Sequence, residues 1–329
     1  MKCITIIVFM LLLSTCLFGQ DKKKPLVVAS ASMIADMASS IGSDHVKVKM
    51  IVPIGGDPHL HEPTPDNARL VAQADLVLIN GLTFEGWIAE LIENSGTKAK
   101  TITVTEGIDV LTSTTYKNSA DPHAWMDASN GTIYANNIKN ALIQIDPIHT
   151  VSYEANFQEY DQQIRELDNE ITKLINTIPE EKRVLITSHD AFQYYGRAYG
   201  IKLEAIMGIS TEAEAQTSDI IRVNKVIQEQ DIPAIFIEST INPKLIQQLA
   251  TDNNISIGGK LFADSLGDTE SPASTYIDML KYNTKTIVNA LNSTSTVQTA
   301  ESNSNKTFLW VLGGFMILGL ALIIYRLNQ

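Results

Sequence analysis

Two periodicities alternate along most of the chain. Short apolar runs predict strands over 26–29, 46–52, 76–79 and 101–104, and apolar residues three and four apart predict helices between them, as over 33–41 and 84–93. The same rhythm resumes with strands over 184–187, 202–206, 234–238 and 256–262. Strand and helix in alternation imply βα units with parallel sheets, here in two similar halves. Between the halves, Phe157, Tyr160, Ile164, Leu167, Ile171, Leu174 and Ile175 recur at helical steps. They predict one amphipathic helix over 151–178, ended by Pro179. At about 40 Å it can run along both halves or serve as a core helix of a single domain.

The two ends depart from this pattern. Residues 1–20 open with Lys2, run through an apolar block from Ile4 to Leu13 and reach the small residue Gly19, as a secretory signal peptide does. Leu13-Ser14-Thr15-Cys16 is an imperfect lipobox, with Thr15 where a smaller residue is usual, so lipidation of Cys16 and cleavage after Gly19 both stay open. Residues 293–307 are polar, lack periodicity and predict a flexible linker. Residues 308–325 carry no charge, and as a helix they span about 27 Å with Trp310 and Tyr325 near the ends as interfacial anchors. A C-terminal transmembrane helix is expected there, a buried core helix being the other reading. It would hold an exported body within about 20 Å of the membrane.

Composition narrows the function. Hydrophobic residues at 44% and charged residues at 19% supply enough apolar material for folded cores. Both cysteines, Cys3 and Cys16, lie in the signal segment, so no disulfide braces the mature body. A net charge of −12 argues against nucleic acid as a partner. It mildly favours cation capture, although a solvated acidic surface explains it equally well.

Three of the six histidines fall in loops that follow predicted strands, each beside an aspartate. His59 ends Gly56-Asp57-Pro58-His59, His123 lies in Asp121-Pro122-His123-Ala124-Trp125, and His189 lies in Ser188-His189-Asp190. Proline restrains its own φ and the residue before it, so the repeated Asp-Pro-His stiffens the loop that presents the imidazole. Ligands of open α/β sheets bind outside the carboxyl ends of the strands, where these loops are placed. Asp264 and Asp268 follow the strand over 256–262, and either can add an oxygen to a cation held by three imidazoles. His61 can extend the site as His-x-His or face outward. Asp57, Asp121 and Asp190 can orient imidazoles from behind or serve turns and helix caps. His45 and His149 belong to no motif and read as surface residues.

These motifs, together with Tyr195-Gly196-Arg197-Ala198-Tyr199-Gly200, Ala234-Ile235-Phe236-Ile237-Glu238-Ser239 and Gly258-Gly259-Lys260-Leu261-Phe262-Ala263-Asp264-Ser265, resemble in order the zinc and manganese solute-binding proteins of ABC importers, the TroA and ZnuA type. The resemblance implies two (β/α)4 lobes with parallel sheets, residues 21–150 and 179–292, joined by the helix over 151–178. It implies His59, His123, His189 and Asp264 as ligands of one Zn²⁺ or Mn²⁺ ion in the cleft between lobes. Delivery to a membrane permease and its ATPase follows, by a monomer on the extracytoplasmic face of the cell envelope.

Two departures bear on the metal. Dedicated manganese members tend to carry Glu where His189 stands, and many dedicated zinc members carry a His-rich acidic loop in place of residues 112–119. Three imidazoles and one carboxylate suit Zn²⁺ better than Mn²⁺, which favours oxygen, so zinc is the expected cargo. A C-terminal transmembrane anchor is unusual for the family. Two rivals compete: a zinc metallohydrolase suggested by His59-Leu60-His61, and an adhesin whose metal is structural. The first needs an open coordination position and usually one barrel.

Overall fold

The computed structural model describes residues 23–112, 119–212, 214–230 and 232–293. The expected signal peptide over 1–20 and transmembrane helix over 308–325 lie outside these residues, as does the linker beyond Ser293. Among the described residues no helix is long and apolar enough to cross a membrane.

In the first half, β1 (Leu26–Ala29), β2 (Lys47–Met50), β3 (Leu76–Ile79) and β4 (Lys100–Thr103) form one parallel sheet in the order β2-β1-β3-β4. Because side chains alternate across a strand, each strand feeds two cores. Val27, Ala29, Leu76 and Leu78 face an inner core with α1 (Ser32–Gly42) and α4 (Ala128–Ile145). Leu26, Val28 and Val77 face an outer core with α2 (Pro65–Ala72) and α3 (Ile88–Ser95).

The second half uses the same device. β5 (Val184–Thr187) pairs in parallel with β6 (Lys202–Ala205), and β7 (Ala234–Glu238) with β8 (Ser256–Leu261). Leu185 and Phe236 face the inner core with α6 (Gln193–Tyr199) and α9 (Tyr276–Asn292). Val184, Ile186 and Ile235 face an outer core with α7 (Thr217–Glu229) and α8 (Lys244–Asn253). The four strands expected as one sheet are here two hydrogen-bonded pairs, with β5 and β7 side by side. A bulge interrupts the β7–β8 register after Ile235. Gly259 takes φ +147°, and a Cβ on Gly258 would lie 2.7 Å from the Phe236 ring, so glycine is required at both positions.

The long helix α5 (Thr150–Ile175) packs on α1 and α4 of the first half and on α6 and α9 of the second. Its buried stripe of Tyr153, Tyr160, Ile164, Leu167, Ile171 and Ile175 completes one inner core shared by both halves. It stops short of the expected Ile178, because Pro179 pushes the residue before it out of helical conformation and the chain turns through Asn176 to Ile178. One continuous core thus backs the strands of both halves.

Candidate metal centre

Loops after β2, β4, β5 and β8 bring His59, His123, His189 and Asp264 to one point, with a ligand atom from each lying within 4.8 Å of the others. All four are buried, none more than 6% exposed. His59 Nε2 lies 3.3 Å from His123 Nε2. Asp264 Oδ1 lies 3.3 Å from His123 Nε2 and its Oδ2 3.1 Å from His189 Nε2. Asp268, the other carboxylate open at the sequence level, is exposed. His61 turns away, its Nε2 3.2 Å from Asn67 Oδ1 and its ring against Trp87.

Each ring has its own backing. The Asp121 carboxylate accepts from the His123 amide at 2.9 Å and meets Nδ1 at 2.7 Å. Glu238, at the end of β7, accepts from the His189 amide at 2.8 Å and lies 2.6 Å from Nδ1. Both arrangements leave Nε2 facing the cluster. Among the described residues His59 has no such carboxylate; its ring rests edge-on against Phe84 at 5.0 Å between centroids. Its loop is pinned instead, with the Asp57 carboxylate accepting from the His59 amide and from Thr211 of the second half. Further bonds cross between halves around the cluster, from Trp125 Nε1 to the Ala263 carbonyl and from the Leu266 amide to Ser32 Oγ.

These surroundings set the charges. Burial pulls the His59 imidazole down to about 4, so it is neutral at pH 7. Burial also disfavours the charged His123 ring, but contact with Asp121 and Asp264 outweighs it and holds the ring up to about 9. At His189 burial is again outweighed, by the charges of Glu238 and Asp264, and the ring is held well above the usual imidazole range. The neighbouring imidazolium rings overcome the cost of burying Asp264 and keep it well below the usual carboxylate range.

Close as these groups are, the two Asp264 oxygens and both His189 ring nitrogens find no directed hydrogen-bond partner. Buried polar atoms left unmatched in this way are costly. Three imidazoles and a carboxylate with their lone pairs converging are the donor set of a divalent transition-metal site. The zinc-uptake complex component A (periplasmic) family matches residues 27–290.

The chain belongs to this family.

Among its relatives, the metal ABC transporter substrate-binding lipoprotein SsaB of Streptococcus sanguinis is 36% identical over 80% of this chain and 88% of its own length. The manganese ABC transporter substrate-binding lipoprotein PsaA of Streptococcus anginosus is 36% identical over 83% of this chain and 90% of its own. Among solved structures, the periplasmic zinc binding protein TroA from Treponema pallidum superposes with a TM-score of 0.79 at 34% identity, covering 82% of this chain and 99% of that one. The α/β architecture with parallel sheets is thus that of the family.

Glu238 is the member of the site that sequence reading passed over as a functional group. It sits in a quoted motif, but its role depends on β7 lying beside β5, which no local signal carries.

Proposed function

We propose that this protein is the extracytoplasmic solute-binding component of an ABC importer. It takes one divalent transition-metal ion between its halves, through Nε2 of His59, His123 and His189 and the carboxylate of Asp264, and hands it to a membrane permease driven by an ATPase. The observation that carries the reading is the convergence of these four buried groups, among which the Asp264 oxygens and the His189 ring nitrogens have no directed hydrogen-bond partner. The metal is cargo, and no reaction is performed on it. Four protein donors complete a tetrahedron, whereas a zinc hydrolase keeps one position open for water. Nothing specific favours the adhesin reading.

Zinc is the cargo we favour, on the strength of three nitrogen donors to one carboxylate. The relatives' names divide, manganese for PsaA and zinc for TroA. Metal analysis of protein purified without chelators, followed by calorimetric competition between Zn²⁺ and Mn²⁺, tests both levels. Tight binding of neither ion overturns the function, and Mn²⁺ displacing Zn²⁺ at equal concentration overturns the preference.

The segment organisation belongs to the same proposal: signal peptide over 1–20, linker over 293–307 and an anchoring helix over 308–325, with the body held as a monomer outside the cytoplasmic membrane. SsaB and PsaA are called lipoproteins, which puts Cys16 forward as a second attachment point. Membrane fractionation of a chain lacking 308–325 and of Cys16→Ala separates the two. Release of the body by the deletion and not by the substitution is the expected result.

A further inference from the structure

The two histidines of the first half come from opposite edges of their sheet. His59 follows β2 and His123 follows β4, the outer strands of the order β2-β1-β3-β4, which lie three strand spacings or about 14 Å apart. Their Nε2 atoms nevertheless meet at 3.3 Å. The segment after β3, residues 80–87, touches both loops. Asn80 Nδ2 donates to the Pro122 carbonyl at 3.0 Å, beside His123. Phe84, fully buried, packs against the rings of His59 and Trp125, at 5.0 and 4.8 Å between centroids. Trp87 Nε1 donates to the Pro58 carbonyl at 2.7 Å, beside His59.

The backbone of this segment is strained. Gly81, Leu82 and Thr83 take φ of +77°, +54° and +66°, three successive left-handed residues of which two carry a Cβ and one is β-branched. Such a run persists only where its surroundings over-determine it. Glu85 supplies much of that constraint. Its carboxyl group is buried, with Oε1 accepting from the Asn80 amide at 2.8 Å and from the Ser30 hydroxyl, and Oε2 accepting from the Gly81 amide at 3.1 Å. Because Ser30 directly follows β1 and Asn80 directly follows β3, this one group ties together the ends of the two inner strands. Asn80 is held further by the hydroxyls of Tyr134, on its Oδ1, and Thr105, on its carbonyl, each at 2.6 Å.

We propose that Glu85 is a positioning residue for metal capture: by fixing segment 80–87 it sets the His59 ring and the His123 loop to share an ion before the ion arrives. This rests on the metal-binding function proposed above. His59 is the ring without a carboxylate behind it, and the edge of Phe84 takes that place. Glu85, next in sequence, determines where Phe84 stands. Rings already in place need not be ordered on binding, so the affinity they give is not spent on ordering them. A buried carboxyl group is a costly way to hold a loop for stability alone, which favours a role in the site.

The test is calorimetric titration of the full-length chain with Zn²⁺ and the visible spectrum of its Co²⁺ form, with the thermal midpoint of the metal-free protein measured alongside. Glu85→Gln keeps the shape but sets a side-chain NH₂ against a backbone N–H. It should lower Zn²⁺ affinity about ten- to a hundredfold and shift the Co²⁺ d–d bands, which report ligand geometry. Trp87→Phe, at a half-buried position, removes the bond to Pro58 and should cost about fivefold. A purely structural role would lower the thermal midpoint and leave affinity and spectrum unchanged. Wild-type affinity and an unshifted spectrum in Glu85→Gln would overturn the proposal and leave the metal-binding function standing. Wild-type affinity in Trp87→Phe would overturn it too, even where Glu85→Gln fails to fold. No Zn²⁺ binding by the wild-type chain would overturn both readings.

Discussion

The two halves contribute unequally to the same point. His59 comes from the first half on a loop pinned by Asp57, with an aromatic edge behind its ring and a proton affinity pushed down to about 4. His189 comes from the second with Glu238 against its Nδ1 and Asp264 against its Nε2, and it holds its proton well above the usual range. His123, though in the first half, resembles His189, because Asp121 plays the part of Glu238. One ring is thus ready for metal at neutral pH, while the other two exchange protons for it. Burial alone would leave every imidazole neutral; the carboxylates decide which ones carry charge while the ion is away.

The largest test of this asymmetry removes a donor. His189→Ala takes away one of four ligands and should lower metal affinity by about a thousandfold, read by calorimetry. Acidification acts next. With His123 held up to about 9 and His189 well above the usual range, binding at pH 7 should release about two protons, and affinity should fall by about a hundredfold per unit of acidification near neutrality. Titration in buffers of different ionisation enthalpy counts the protons, and a count near zero would remove the distinction between the rings. Glu238→Gln should cost about ten- to a hundredfold in affinity and bring the proton count nearer one, because His189 loses the charge that holds its proton.

Asp36 sharpens the comparison from outside the site. It is half-buried and has no imidazole beside it, so burial pushes its carboxyl up to about 6 where that of the fully buried Asp264 is held down. With the folded value above the unfolded one, its contribution to stability is full below about pH 4 and is lost as pH rises through 6. Asp36→Asn should therefore stabilise the protein by about 2 kcal/mol at pH 8 and leave it unchanged at pH 4, by urea denaturation. The smallest effect belongs to His61→Ala. Its ring bonds Asn67 rather than facing the cluster, and affinity should change less than about threefold.

Strands 76–79, 184–187 and 234–238 were legible to the residue, since continuous apolar runs bounded by polar turns leave the ends little freedom. His59 and His123 stand out because Asp-Pro-His is a local pattern, and Asp121 came with the second. What the sequence could not carry was pairing at a distance. The choice of Asp264 over Asp268 depended on the resemblance, and burial separates them only in three dimensions. Glu238 reaches His189 because β7 lies beside β5, and the bulge in the β7–β8 register is one that the glycines of β8 permit but do not announce.

The most direct measurement is anomalous diffraction at the zinc edge from crystals of the zinc-loaded protein. One peak should appear, about 2.0–2.2 Å from Nε2 of His59, His123 and His189 and from an oxygen of Asp264. A peak elsewhere, or one held by only some of these four residues, would contradict the assignment.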